Sequence, residues 1–255
     1  MTATTIRRLE WHDHEGREIA FALHGSLTQT GTPVLFLPGH QLPLDWAFYP
    51  YLLAKIAEQR PVLIARPRII GDQNEGNTSA AGTPSAGMSE QLTDAEALIE
   101  TIARGRLPEG AAWTPGKLGI LAHGTGSGLA LLLAAGQPAI AGVLAIATVC
   151  TFNRQGGDVD ARLRSDVAEH GVRFQLELAA RQVRCPIVLV HGEEDQVAPF
   201  DEGERIYHWL PKEKSSLVLL EKTGHSLGAD DPFAGTNKEL DRVVRISREF
   251  FEREL

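Results

Sequence analysis

Cysteine is scarce: Cys150 and Cys185 are the only two among 255 residues. Neither lies in a Cys-x-x-Cys spacing, so a disulfide framework and the common thiolate metal or redox motifs are excluded. Positive charge is also short. Lys and Arg number 25 against 33 Asp and Glu, a net charge of −8, the wrong balance for general binding to a phosphate backbone. No nucleic-acid partner is expected. Long apolar runs are missing as well. The most apolar window, Leu129 to Val149, is interrupted by Gly136, Gln137 and Pro138, and reads as helix, turn and strand rather than as a membrane span. Met1 to Gly16 carries Arg7 and Arg8 with no apolar stretch behind them, so no secretory signal is visible and a cytoplasmic location is expected. What remains is an ordinary globular composition, 43% hydrophobic and 23% charged, which fits one large α/β domain or two small ones and a small-molecule substrate.

The apolar pattern alternates between short continuous runs and helical faces. Ile6 to Trp11 and Glu18 to His24 flank a polar turn ending in Gly16, which predicts an antiparallel hairpin. Further strands are expected at 33–37, 61–65, 117–122, 142–149, 187–191 and 216–220. Helices are expected at 49–60, 93–104, 127–135, 201–210 and from Lys238 onward. The bounds of the helix at 93–104 rest on local signals, Thr93 as an N-cap with Glu96 three residues later and Gly105 as a stop. Residues 70–89 read as a long polar loop. The helix-like, charged stretch 150–184 breaks the alternation and is expected to be a short cap within a single domain spanning 1–255. Continuously apolar strands separated by helices imply a mostly parallel sheet with helices on both faces, and ligands in such sheets sit at the carboxyl ends of the strands.

Three loops after strands hold the informative residues. Ala122-His123-Gly124-Thr125-Gly126 follows one apolar run, His191-Gly192-Glu193-Glu194-Asp195 the next, and Thr223-Gly224-His225-Ser226-Leu227 the third. A turn, an acid and a histidine thus follow in chain order. This constellation resembles the α/β-hydrolase family over essentially the whole chain. The tail Gly224-His225-Ser226-Leu227-Gly228 with Asp231-Pro232-Phe233 is similar to that of dienelactone-hydrolase-like serine esterases. The resemblance implies that Asp195 orients His225, that His225 serves as general base and then acid, and that the backbone N–H groups of Thr125 and of His40, beside Gly39, face an oxyanion. It implies a hydrolase of small esters or lactones, with no cofactor and no metal.

One position departs from the pattern. The elbow reads small-x-nucleophile-x-small, and Gly124 stands where the serine is expected. Glycine accepts the strained positive φ of that turn but brings no nucleophilic atom. Three readings follow. A serine replaced by glycine leaves an esterase able to bind its ester. A natural glycine leaves His225, with Asp195, as a general base for lyase, cyclase or direct hydrolysis chemistry. A pocket without chemistry leaves a ligand-binding protein. Thr125, Ser127 and Cys150 are weaker nucleophile candidates.

Other motifs weigh less. Gly124-Thr125-Gly126-Ser127-Gly128 is spaced G-x-G-x-G, not as a dinucleotide loop, and no ribose-binding acid follows at the right distance. His12-Asp13-His14, or His225 with Asp230 or Asp231, are thin metal candidates. Arg66-Pro67-Arg68 follows a strand, where it reads as a salt-bridged loop or as a contact to an anionic substrate group. His123 and His191 are expected to orient backbone.

Overall fold

The computed structural model describes residues 6–12, 16, 18–40, 42–65, 87–153 and 161–255. Within them eight strands make one sheet: β1 (Ile6–His12), β2 (Glu18–His24), β3 (Val34–Leu37), β4 (Val62–Ala65), β5 (Leu118–His123), β6 (Ile140–Ile146), β7 (Ile187–Gly192) and β8 (Ser215–Leu220). The spatial order is β1-β2-β4-β3-β5-β6-β7-β8. β1 and β2 form the expected hairpin, with Leu9 opposite Phe21, and β2 continues antiparallel onto β4. All later pairings are parallel. Every residue of β3, β5 and β7 is buried, which is why these strands read as unbroken apolar runs rather than alternating ones.

Seven helices accompany the sheet among the described residues: α1 (Tyr49–Ala57), α2 (Met88–Ala103), α3 (Thr125–Gly136), α4 (Ala161–His170), α5 (Leu176–Gln182), α6 (Phe200–Trp209) and α7 (Lys238–Glu254). They fall into two layers: α1 touches α7, while α2, α3, α5 and α6 form a chain of neighbours. No helix among the described residues is long and apolar enough to cross a membrane.

Several boundaries differ from the sequence reading, two of them for a clear physical reason. α2 begins at Met88, so Thr93 lies inside the helix and donates its hydroxyl back to the Ser89 carbonyl at 2.9 Å. Its N-terminus is capped from elsewhere in the chain. Asp166 of α4 accepts the Ser89 N–H at 2.9 Å and the Ser89 hydroxyl, the service a local N-cap side chain usually performs. The strand expected to run to Val149 ends at Ile146, because Ala147 turns to a φ of +51°, and the apolar residues after it are buried loop. The expected loop at 70–89 lies outside the described residues up to residue 86, as do Asp13, His14 and the Arg66–Arg68 run.

The segment after β6 docks through both polar and apolar contacts. Arg173 donates to the Thr93 hydroxyl and to Glu96 of α2, both at 3.1 Å. Phe152, Phe174 and Leu176 join the main core. Phe152 lies so close to α3 that a Cβ on Gly128 would meet its ring at 2.6 Å. Gly126 is equally constrained, since a Cβ there would come within 2.2 Å of the Leu37 carbonyl oxygen. These two glycines serve close packing of α3, against the end of β3 and against Phe152. That accounts for the repeated glycines without a nucleotide phosphate.

Candidate active site

The carboxyl ends of β3, β5, β7 and β8 bring the expected residues together. Asp195 follows β7 and is buried. Its Oδ1 accepts the N–H groups of Val197 and Ala198 at 2.9 and 2.8 Å, which fixes the carboxylate in its turn. Its other oxygen lies 2.9 Å from Nδ1 of His225, which follows β8. Burial alone would raise the Asp195 pKa. The bond to His225, the imidazole's charge and the two backbone donors outweigh it and hold the carboxyl below the usual carboxylate range. A carboxylate on Nδ1 leaves Nε2 of His225 as the ring atom able to take a proton from another molecule.

That Nε2 faces the elbow. Gly124, between β5 and α3, has φ +55° and ψ −126°, a conformation that L-residues adopt only under strain. A Cβ built there would sit 3.7 Å from His225 Nε2, 3.7 Å from its Cε1 and 3.7 Å from the Gly39 Cα. Those are ordinary contacts. The space for a Cβ is present, and His225 is turned toward it. Gly124 N–H donates to the Ile146 carbonyl at 2.9 Å, so the turn is tied to β6.

The expected oxyanion donors are arranged differently from the sequence reading. Gly39 N–H donates to the Tyr49 hydroxyl at 3.0 Å and is therefore not aimed at a ligand. His40 N–H donates to Thr125 Oγ1 at 2.6 Å. The two residues assigned to one anion-binding feature are bonded to each other. Thr125 N–H lies in the first turn of α3, where N–H groups have no intrahelical acceptor.

Beneath the site runs a buried polar chain that sequence reasoning did not find. Tyr49 and His123 are both fully buried. His123 Nε2 lies 3.2 Å from the His225 carbonyl oxygen, which can only accept, so Nε2 carries the proton and donates. Nδ1 then accepts, and the Tyr49 O–H donates to it at 2.8 Å. Burial pushes the His123 pKa well below its ordinary value, and the neighbouring His225 charge pushes the same way. Burial likewise pushes the Tyr49 phenol well up. Both stay neutral. Trp46 packs over this pair, its ring centroid 5.3 Å from His123 and 6.1 Å from His225. His191 also binds backbone, through the Ala198 carbonyl at 2.8 Å.

Comparison with solved structures decides the architecture. The esterase domain of a Rhodothermus marinus protein superposes with a TM-score of 0.62 at 16% identity, over 98% of each chain. Est1E from Butyrivibrio proteoclasticus gives 0.70 at 13% identity, over 97% of this chain and 98% of its own. Acylaminoacyl peptidase from Pyrococcus horikoshii gives 0.70 at 16% identity, over all of this chain and 42% of the peptidase. The fold is that of the α/β-hydrolases. No protein-family model matches the sequence, and no curated protein matches it significantly. At these identities the likeness is one of fold, and any chemistry has to be argued from this chain's own side chains.

The other nucleophile candidates on this α/β-hydrolase fold point elsewhere. Ser127 is buried and donates to the Ile146 carbonyl at 3.0 Å. Cys150 has its thiol pKa raised by burial and by Glu202, the wrong direction for a thiolate. Asp231 accepts the Ala47 N–H at 3.4 Å, and no cluster of three potential metal ligands gathers among the described residues.

Proposed function

We propose that this α/β-hydrolase cleaves small esters or lactones without a covalent intermediate, with His225 as general base on water and Asp195 as its orienting partner. The observation that carries the reading is His225 Nε2 facing, at 3.7 Å, the place of a side chain that Gly124 does not supply. A water standing where a serine hydroxyl would stand is within proton-transfer reach of Nε2. Its oxygen attacks the carbonyl carbon while Nε2 takes its proton. The tetrahedral adduct then collapses, the carbon–oxygen bond to the leaving alkoxide breaks, and the imidazolium returns the proton to that oxygen. Asp195 holds the ring and offsets the charge it carries between the two proton transfers.

A second reading, a ligand-binding protein with no turnover, is favoured by one observation. The His40 N–H already has a partner in Thr125 Oγ1. Turnover of a panel of small aryl esters and lactones separates the two. The hydrolytic reading expects slow hydrolysis without a burst, lost in H225A and reduced about 10²- to 10⁴-fold in D195N, in line with the weight of a positioned base and its partner. Hydrolysis equal in the parent protein and in H225A would refute it.

A further inference from the structure

The residue after the elbow contributes more than an N–H. Thr125 Oγ1 sits 2.6 Å from the His40 nitrogen. An oxyanion polarised by backbone donors has to stand about 2.7–3.1 Å from each of them. The threonine oxygen therefore stands where the carbonyl oxygen of a substrate would meet the His40 N–H. The neighbouring donor offers no substitute, because Gly39 N–H is engaged by Tyr49 at 3.0 Å. The remaining group, Thr125 N–H, lies at the positive end of α3.

We propose that the Thr125 hydroxyl is a built-in competitor for the substrate carbonyl oxygen: it occupies the His40 donor at rest and must turn away for that donor to act. The inference rests on the ester-cleaving reading of the same site. Threonine in a helix divides between two χ1 wells, so the hydroxyl leaves by one side-chain rotation with the backbone unmoved. Restoring a serine at residue 124 therefore leaves this competitor in force. A substrate bound by this site gives up the bond it displaces, which is worth roughly two- to tenfold in rate.

The test installs a nucleophile and then removes the competitor. G124S is labelled with a fluorophosphonate, whose phosphoryl oxygen takes the carbonyl oxygen's place, and its second-order rate is compared with those of G124S/T125A and G124S/T125S. The double variant with alanine is expected to label about two- to tenfold faster, and the one with serine, which keeps the hydroxyl, at close to the G124S rate. Labelling that is unchanged or slower in G124S/T125A overturns this inference and leaves the ester-cleaving reading standing. No labelling in any of the three overturns both. Hydrogen exchange at the His40 amide supplies a readout independent of chemistry. It should be faster in T125A than in the parent protein, and equal rates would also overturn the inference.

Discussion

Gly124→Ser tests the geometry of the elbow directly, and its two effects can be sized separately. The stability effect comes from the backbone, since φ is +55° and an L-residue in such a region is strained by about 1–2 kcal/mol. No steric penalty adds to it, because the nearest atoms to the new Cβ lie at 3.7 Å. For a domain of this size that corresponds to a fall in Tm of roughly 2–8 °C. The activity effect runs the other way. An Oγ one bond beyond that Cβ comes within hydrogen-bond reach of His225 Nε2, the pairing that activates a serine. Removing a serine from an evolved triad costs about 10⁶ in kcat, so even an untuned site is expected to gain at least ~100-fold. The assay is pre-steady-state hydrolysis of an activated aryl ester, read for a burst of one equivalent, with labelling at residue 124 located by mass spectrometry. A variant that melts within the expected range yet shows neither burst nor faster turnover would refute the argument, because His225 would then not be facing the elbow in solution.

Three further outcomes are expected. Burial holds the His123 pKa well below its ordinary value, so below about pH 6.5 the unfolded chain binds a proton that the folded chain refuses. Stability should fall there by up to ~1.4 kcal/mol per pH unit. H123Q keeps a donor for the His225 carbonyl and should lose that component in urea titrations between about pH 5 and 7.5, with His24, also lowered by burial, leaving a residual slope; identical slopes would refute the assignment. D166A removes the acceptor that caps α2 at Ser89 and should destabilise by about 1–2 kcal/mol, checked by the urea midpoint. N237A removes a side chain that accepts the Glu239 and Leu240 N–H groups and donates to the Leu227 carbonyl at 3.0 Å. A loss of about 1–2 kcal/mol is expected by thermal melting, since both the start of α7 and the loop carrying His225 are released.

Much of this was legible in the chain itself. The buried strands announce themselves because both of their faces are covered, and the elbow and Asp195 stand just past two such runs, while His225 follows the only partly buried edge strand β8. What stayed hidden was fixed by distant partners. The start of α2 is set by Asp166, 77 residues away, so no local cap signal marks it. Tyr49 read only as the first residue of an expected helix, and its hydrogen bond to His123, 74 residues on, leaves no trace in spacing. The bond between Thr125 and His40 was equally out of reach: the sequence placed both at one feature, and only side-chain rotation decides that one donates to the other.

The buried hydrogen-bond chain under the site has an electrical result. The rings of His123 and His225 lie with centroids 4.4 Å apart, near enough for two cations to repel each other strongly. Because His123 is sealed from water and has both nitrogens committed, it stays uncharged throughout the proposed proton transfers at its neighbour. In the proposed mechanism a proton taken up by His225 would therefore meet no like charge from the second imidazole, and Asp195 would balance a single positive ring.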